Sequence, residues 1–325
     1  VKQETYRNKW NEWRRGNITN AVSRFSKAIH EVKPESIISA AVVNNLNIAR
    51  NTYMQDWFTW VNAGYLDMLA PMIYTGSSEA VKTSTNDINE KLGNLSYLVS
   101  GIAPVYYGYS AMVNHEQVIA TSNASGNALF ASQNVIGIPE VEEGLHIGRY
   151  RETAVNISSS AEDIIEYSLT SLKLRLSTYV GRGFIDINTE KIFKTEIDNI
   201  LSMKNDNPGD LSIVLDRIEL LRELRLYITN ENIREIVKAE VDSLYHTIDV
   251  KISRYLINHG YWDISENSIR PNPTSFEYPD EEEIGNGDEV EENNGIWKIV
   301  FAGLSLIVIV ISGIFIYRRK PNESN

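Results

Sequence analysis

Amide and tyrosine side chains follow each of four short apolar segments in the first 150 residues, at the points where strands are predicted to end. Amide groups hydrogen-bond to hydroxyls, and aromatic rings pack against the apolar faces of pyranoses. The pattern suits a cleft that binds a sugar, while the alternative for each residue is packing or turn formation at a strand end; Tyr74 and Asn44 are the favoured cleft residues. The candidate substrate-binding residues are Asn44, Asn45, Tyr74, Tyr106, Tyr107, Gln133 and Asn134.

A sugar-binding cleft can cleave its ligand only if two carboxylates flank the bond, generally about 5–5.5 Å apart in retaining enzymes and about 6.5–9.5 Å apart in inverting ones. Glu79 and Glu116 follow predicted strands but fall in loop or helix, where a solvated charge is the commoner role. Asp67 begins a strand and is expected at the opposite edge of the sheet, and Asp56 is expected on a helix face. The catalytic acid and base are therefore unknown, with Glu79 as the only candidate.

Other kinds of chemistry find no support in the residue pattern. Cysteine is absent, which excludes disulfides and thiolate metal sites, and the five histidines lack the paired spacing of zinc sites. No nucleophile elbow, P-loop or dinucleotide-binding glycine motif occurs. The formal net charge of −12 argues against broad nucleic-acid binding. We expect no metal, no cofactor and no nucleic-acid partner.

The first 150 residues alternate predicted helices with short apolar strands. Strands are expected at residues 37–43, 66–74, 97–105 and 126–135, and helices at about 10–29, 55–61, 86–92 and 110–121. Apolar strands separated by helices pair in parallel, with both faces of the sheet covered. The pattern predicts an α/β fold, either a barrel or a doubly wound sheet.

Residues 151–265 carry a helical pattern instead. Helices are expected at about 160–180, 189–204, 211–228 and 231–258. Ser160, with Asp163 three residues later, is suited to capping the first of them, and an apolar stripe runs along the last. We interpret this region as a small helical bundle or coiled hairpin. Such a stripe is far more often a core or partner surface than a cofactor site.

The C-terminal part divides into three expected segments. Residues 266–295 contain prolines, glycines and an acidic run, which predicts a disordered linker. Residues 296–317 form an almost entirely apolar run, long enough to span a bilayer as one transmembrane helix. The basic cluster that follows is expected to keep residues 318–325 in the cytoplasm. This predicts a single-pass protein of the cell membrane with its N-terminal region extracellular.

The N-terminal end is unusual for such a topology. Val1 is not an initiator, and no signal peptide is present although the predicted orientation requires export. We expect either that a signal was cleaved directly before residue 1 or that the sequence is a fragment, and the latter is favoured by the pattern described next.

Three runs carry a family resemblance. They are WRRGNI at 13–18, VKP at 32–34 before IISA at 37–40, and QDWFTW at 55–60 followed by GYLD at 64–67 and APMIY at 70–74. In order and spacing, about residues 6–150 resemble a glycoside-hydrolase-like (GH10-like) family of bacterial TIM-barrel proteins. Two positions depart from its pattern: Met72 stands where the family usually has Gln, and Val43-Asn44-Asn45 replaces the usual Pro-Phe-Gly.

The resemblance implies the C-terminal half of a (β/α)8 barrel, in which the four predicted strands are strands five to eight. A complete barrel needs about 250 residues, so the first four strands are expected upstream of Val1. In such families the catalytic carboxylates are expected at the end of strand four, which would place them upstream as well.

Two functions are consistent with these features. In the first, the chain is the C-terminal portion of a surface-anchored glycoside hydrolase that acts on a polysaccharide or oligosaccharide. In the second, the barrel is a degenerate, non-catalytic module for carbohydrate binding or adhesion, which the two departures from the family pattern favour. Fold alone does not decide activity, so the enzymatic hypothesis rests on analogy.

Overall fold

The computed structural model describes residues 2–147, 155–205 and 207–278. Its first part contains a four-stranded sheet in which each strand is parallel to, and paired with, the next strand of the sequence. The strands are β1 (Ser39–Val43), β2 (Met68–Met72), β3 (Tyr97–Ile102) and β4 (Gly126–Leu129). The predicted α/β class with parallel pairing is confirmed, although every strand is shorter than expected.

Helices precede, connect and follow these strands, as a βα pattern requires. The helices are α1 (Lys2–His30), α2 (Leu46–Thr52), α3 (Trp57–Asn62), α4 (Ser78–Leu92), α5 (Ala111–Ala120) and α6 (Pro139–Ile147). Neither α2 nor α6 was predicted. Helix α4 starts earlier than expected because the Ser77 hydroxyl caps it, accepting a hydrogen bond from the Ala80 N–H at 3.2 Å.

The sheet is packed through aliphatic residues that alternate along its strands. Val42, Leu69 and Leu98 lie on successive strands and are fully buried. Trp57 is also fully buried, and its indole N–H donates to the Val43 carbonyl at 3.1 Å. These contacts fix α3 against the carboxyl end of β1, because a buried indole N–H needs an acceptor.

The second part consists of four helices packed together. They are α7 (Ala161–Gly181), α8 (Ile187–Leu201), α9 (Pro208–Leu224) and α10 (Glu231–Asn258). Each begins at a side-chain cap, provided by Ser160, Asp186, Asn207 and Asn230 respectively. The apolar stripe of α10 is buried in the shared core, which identifies it as a packing face.

The segment after α10 remains attached to these helices. Arg270 donates to the Ser253 hydroxyl at 3.0 Å and forms an ion pair with Asp249. Phe276 and Tyr278 pack against the helical core. Residues 266–278 therefore belong to the folded part, and the prediction that a disordered linker begins at 266 is corrected to that extent.

The remaining predicted segments lie outside the described residues. These are the rest of the linker to residue 295, the transmembrane helix at 296–317 and the tail at 318–325. Within the part of the chain that the structure describes, no helix combines the length and the apolar character needed to cross a bilayer.

A buried ionic cluster joins the two parts at the amino edge of the sheet. Asp67 directly precedes β2 and is 1% exposed. Its Oδ1 accepts hydrogen bonds from Arg254 at 2.7 Å and from Asn258 at 3.0 Å, both on α10. Its Oδ2 accepts from the Ile38 N–H at 2.8 Å and lies 3.1 Å from Nε2 of His30. As expected from the sequence, Asp67 faces the amino edge and serves packing.

The partner guanidinium is satisfied just as fully. Arg254 is 4% exposed, and it also donates to the carbonyls of Gly64 at 3.1 Å and Leu95 at 3.3 Å. Burial alone would raise the pKa of Asp67, but the Arg254 charge and the hydrogen bonds from His30 and Asn258 outweigh it and lower that pKa. The cluster therefore holds the helical part firmly against the sheet.

Candidate functional site

Four aromatic rings lie together beyond the carboxyl ends of β2, β3 and β4. The Tyr74 ring centroid is 6.3 Å from that of Tyr107 and 5.4 Å from that of Phe130. Tyr106 is 5.1 Å from Tyr107 and 5.5 Å from Phe130, edge to face in both pairs. We call this group the aromatic shelf. Tyr106, Tyr107 and Phe130 are 55%, 53% and 44% exposed, so their rings are accessible to a ligand.

The loop after β3 presents the two neighbouring tyrosines through a tight turn. The N–H groups of Tyr107 and Tyr109 both donate to the Pro104 carbonyl, at 3.2 and 3.0 Å. Gly108 lies between them with φ of 79°, a conformation that favours glycine. The Tyr109 ring covers Gly76, where a Cβ atom would lie 2.1 Å from the ring. The glycines therefore allow the loops after β2 and β3 to approach closely.

The loop after β2 is held in place by a hydrogen bond from the buried side-chain amide of Gln117. Gln117 on α5 is fully buried, and its side chain donates to the Thr75 carbonyl at 2.6 Å, next to Tyr74. Burial raises the pKa of Tyr74, and so does the nearby Tyr107. A tyrosine hydroxyl is protonated near neutral pH even at its ordinary pKa of about 10, so the Tyr74 hydroxyl can donate a hydrogen bond to a ligand.

The loop after β4 completes the shelf. Phe130 donates its N–H to the Ile102 carbonyl at 2.9 Å, and the Phe130–Ala131 peptide bond is cis. Asn134 donates its side-chain N–H to the Phe130 carbonyl at 3.1 Å, and Gln133 is exposed on the same short 3₁₀ helix, Ser132–Asn134. A strand was predicted over residues 126–135, so Phe130 was treated as an ordinary strand residue and was not recognised as part of a ligand site.

The two asparagines after β1 differ in what they do. Asn45 caps α2, because its Oδ1 accepts the Ile48 N–H at 3.0 Å. Asn44 is half-buried directly after β1. The aromatic contacts that join the three tyrosines to Phe130 do not extend to this strand end. The shelf is thus formed by the loops of β2, β3 and β4.

A buried carboxylate also lies beside the end of β1. Asp56 is 6% exposed and forms ion pairs with Nε of Arg50 at 3.0 Å and Nε of Arg15 at 3.6 Å. The expectation that Asp56 lies on a helix face is wrong, since it precedes α3 and is enclosed by two guanidinium groups. Sequence reasoning missed both arginines, because neither is near Asp56 in a recognisable motif.

The described residues do not supply an evident pair of catalytic carboxylates. No Asp or Glu occurs among residues 44–45, 73–76, 103–109 or 130–134, which follow the four strands. Glu79 is exposed in the first turn of α4, and Glu116 accepts a hydrogen bond from the Ser78 hydroxyl at 3.1 Å. Within residues 2–147, 155–205 and 207–278, no three His, Asp or Glu side chains are grouped so as to hold a metal ion.

In proteins built from parallel βα units, ligands bind beyond the carboxyl ends of the strands, which is where the shelf lies. Residues 2–103 match the family model described as glycosyl hydrolase-like 10, which confirms the resemblance over α1 to β3 and the start of the shelf loops. No curated protein and no solved structure matches the chain.

Proposed function

We propose that this chain is the carbohydrate-engaging portion of a surface-anchored glycoside hydrolase that acts on a polysaccharide. The observation that carries the proposal is the aromatic shelf. Tyrosine and phenylalanine rings exposed at the carboxyl edge of a parallel sheet are suited to stacking on sugar rings. The match of residues 2–103 to a glycosyl-hydrolase-like family supports the same ligand class.

The shelf provides both types of contact that a sugar needs. Tyr106 and Tyr107 offer exposed ring surface, and the protonated hydroxyl of Tyr74 offers a hydrogen-bond donor. Gln133, exposed on the loop after β4, and Asn134, bonded to the Phe130 carbonyl, add amide groups from the same loop. In this proposal the shelf orients the substrate, and bond cleavage requires carboxylates from elsewhere.

The unpaired edge of β1 is where strands that carry the catalytic carboxylates would pair with the sheet. Among the described strands, β1 pairs with β2 alone, and its other side faces a groove of about 500 Å³. Val22 and Phe25 of α1, together with Trp60 and Leu66, make this groove largely apolar. We propose that further barrel strands cover it, so that β1–β4 are strands five to eight. The end of strand four would then contribute the catalytic carboxylates.

A second candidate is a non-catalytic carbohydrate-binding or adhesive protein. It is favoured by the absence of Asp and Glu from residues 44–45, 73–76, 103–109 and 130–134, which directly follow β1–β4. Met72, at the end of β2, also replaces a polar residue of the family pattern with an apolar one. Both candidates share the shelf as a sugar-binding surface, and they differ in whether the bound glycan is cleaved.

Membrane attachment is the other part of the proposal. The apolar residues 296–317, followed by a basic cluster, would anchor the protein by a single helix with its N-terminal region outside the cell. Removal of residues 296–325 should release the protein from the membrane pellet into the supernatant. A truncated form that still sediments with membranes contradicts the anchor.

Binding can be measured on the full chain, and cleavage on the chain extended by the proposed barrel strands. We expect the wild-type protein to bind at least one of cellotetraose, xylotetraose and maltotetraose, and Tyr107→Ala to weaken that binding about 5- to 10-fold through loss of stacking. Tyr227→Ala removes an equally exposed tyrosine from the helical part and serves as the matched control. Equal affinities of Tyr107→Ala and wild type would overturn the shelf proposal.

Release of new reducing ends from the bound oligosaccharide separates the two candidates. If the protein is a hydrolase, new reducing ends should accumulate when the chain is extended by the further barrel strands. If it is a binding module, none should appear. The detergent should carry no sugar headgroup, because a maltoside or glucoside would compete for the same surface.

A further inference from the structure

A polar cleft separates the sheet part from the helical part, away from the shelf. It has a volume of about 690 Å³, within the range of about 300–1,000 Å³ that is typical of ligand sites. One wall is the C-terminal half of α4 and the turn between α5 and β4, and the other wall is formed by α9 and α10. Because α4 and α5 run antiparallel to the strands, their C-terminal ends lie at the amino edge of the sheet, opposite the shelf.

Four asparagine side chains line the first wall. Asn123 donates to the side chain of Asn86 at 3.0 Å, and Asn89 donates to the Asn123 carbonyl at 3.0 Å. The fourth is Asn94, in the turn after α4. These bonds orient the amides but leave Nδ2 of Asn86 and Oδ1 of Asn123 with no partner among the described residues. The wall therefore offers both donors and acceptors to a ligand.

The charges of the opposite wall are already neutralised. Asp242 forms ion pairs with Arg222 at 2.6 Å and with Lys238 at 3.0 Å. Asp249 is paired with Arg270. A phosphate or a carboxylate would have to compete with these internal partners for the cations. These paired cations, together with the Glu90 carboxylate on the first wall, disfavour an anionic ligand.

The wall also contains aromatic and imidazole groups. The Arg222 guanidinium lies 5.3 Å from the centroid of the Tyr245 ring and covers one face of it. Burial lowers the pKa of His246, which keeps the imidazole neutral near pH 7. Nε2 of His246 and Oδ1 of Asn89 are buried without a hydrogen-bond partner in the described structure. Both residues line the cleft, so these two atoms lie close behind its surface.

We propose that this cleft is a second carbohydrate-binding site, which takes a neutral oligosaccharide segment. Amide donors and acceptors match the hydroxyls of a sugar, and the paired cations together with Glu90 disfavour an anionic ligand. The proposal rests on the proposed function for its ligand class. Its role is to hold the glycan without cleaving it, since it lies at the opposite edge of the sheet from the shelf.

The test compares two variants of the full chain in a detergent without sugar headgroups. Asn86→Ala/Asn94→Ala alters the cleft, and Tyr106→Ala/Tyr107→Ala alters the shelf. The control is Asn188→Ala, which removes an exposed asparagine from α8. Binding of cellotetraose, xylotetraose and maltotetraose is measured by calorimetry. Hydrogen exchange of residues 86–94 and 238–249, with and without the bound sugar, locates the site.

We expect the wild type and the control to show slowed exchange in both cleft segments. The cleft variant should lose that protection and bind about tenfold more weakly at this site, while shelf binding persists. Shelf binding with no exchange protection in the cleft overturns the second site and leaves the proposed function standing. If the wild type shows exchange protection in the cleft and the shelf variant binds like wild type, the shelf proposal is overturned and the second site is kept. Preference for tetragalacturonate over the neutral sugars overturns the neutral assignment.

Discussion

The two edges of the same parallel sheet are built in opposite ways. At the amino edge, Asp67 and Arg254 are buried and every strong hydrogen-bonding group of the pair has a partner. At the carboxyl edge, Tyr106, Tyr107 and Phe130 are about half exposed. In α/β barrels the first edge serves stability and the second serves ligands. The comparison indicates that substitutions at the two edges should separate stability from binding.

The largest effect on stability is expected at the amino edge. Arg254→Ala leaves Asp67 buried without its cation, which should lower the free energy of unfolding by about 3–5 kcal/mol. Urea unfolding followed by circular dichroism measures it. Arg182→Ala, at an exposed position after α7, is the control and should change stability by less than about 0.5 kcal/mol. If Arg254→Ala is too unstable to purify, Arg254→Lys can be measured instead. Lysine keeps the positive charge but lacks the planar set of guanidinium N–H donors, so it should lose less unfolding free energy. A loss below about 1 kcal/mol for Arg254→Ala would contradict the importance of this edge.

The second largest effect concerns the same cluster and depends on pH. Asp67→Asn should destabilise the protein by about 2–3 kcal/mol at pH 7, because Arg254 loses a charged acceptor. The pKa of Asp67 is lower in the folded than in the unfolded chain. Its contribution is therefore fully present above the unfolded-state pKa, at about pH 4, and is lost as pH falls through the folded-state pKa.

Unfolding curves from pH 7 to pH 3 test this linkage. The stability difference between wild type and Asp67→Asn should shrink towards the acid end, because the wild type alone loses the carboxylate contribution. A difference that stays constant over this range would show that the Asp67 charge does not stabilise the fold.

A smaller effect on stability is expected at Asn45, where a helix-capping role and a substrate-binding role predict different results. As the N-cap of α2, Asn45→Ala should cost about 1 kcal/mol of stability and leave oligosaccharide binding unchanged. Asn45→Asp keeps a capping oxygen and should restore most of the loss. Weakened binding of cellotetraose, xylotetraose and maltotetraose at unchanged stability would instead return Asn45 to the substrate-binding residues.

The smallest effect on stability is expected at the shelf. Tyr107→Ala should change the free energy of unfolding by less than about 1 kcal/mol, because the ring is more than half exposed. The same substitution is expected to weaken sugar binding, as described above. Thermal unfolding, measured beside the binding titration, checks both. A large stability loss with unchanged binding would reverse the assignment of roles to the two edges.

Features based on local pattern were predictable to within a few residues. The helix α10 has the predicted bounds, and Ser160 caps α7 by accepting the Asp163 N–H at 3.0 Å. All four strands occur at predicted positions, with shorter bounds. The errors fell where a turn replaced regular structure, as after Leu129, because hydrophobic pattern does not show where a strand stops bonding to its neighbour.

Contacts between distant residues were beyond the reach of sequence reasoning. Asp67 and Arg254 are 187 positions apart, and Asp56 meets Arg15 and Arg50 from two different helices. Tyr74, Tyr106 and Tyr107 were identified from their positions after strands, yet Phe130 was missed. The cleft between the two parts had no signal, because its asparagines and paired charges resemble ordinary solvated residues in the sequence.

The sequence by itself determined the local elements, the parallel α/β pattern and the glycosyl-hydrolase-like resemblance, because periodicity, caps and short motifs act over a few neighbouring residues. Only the tertiary structure decided which charges are buried together, which rings form the shelf and where the two parts enclose a cleft. Those outcomes depend on packing between segments far apart in the chain, where a burial cost is offset by a partner that no local pattern specifies.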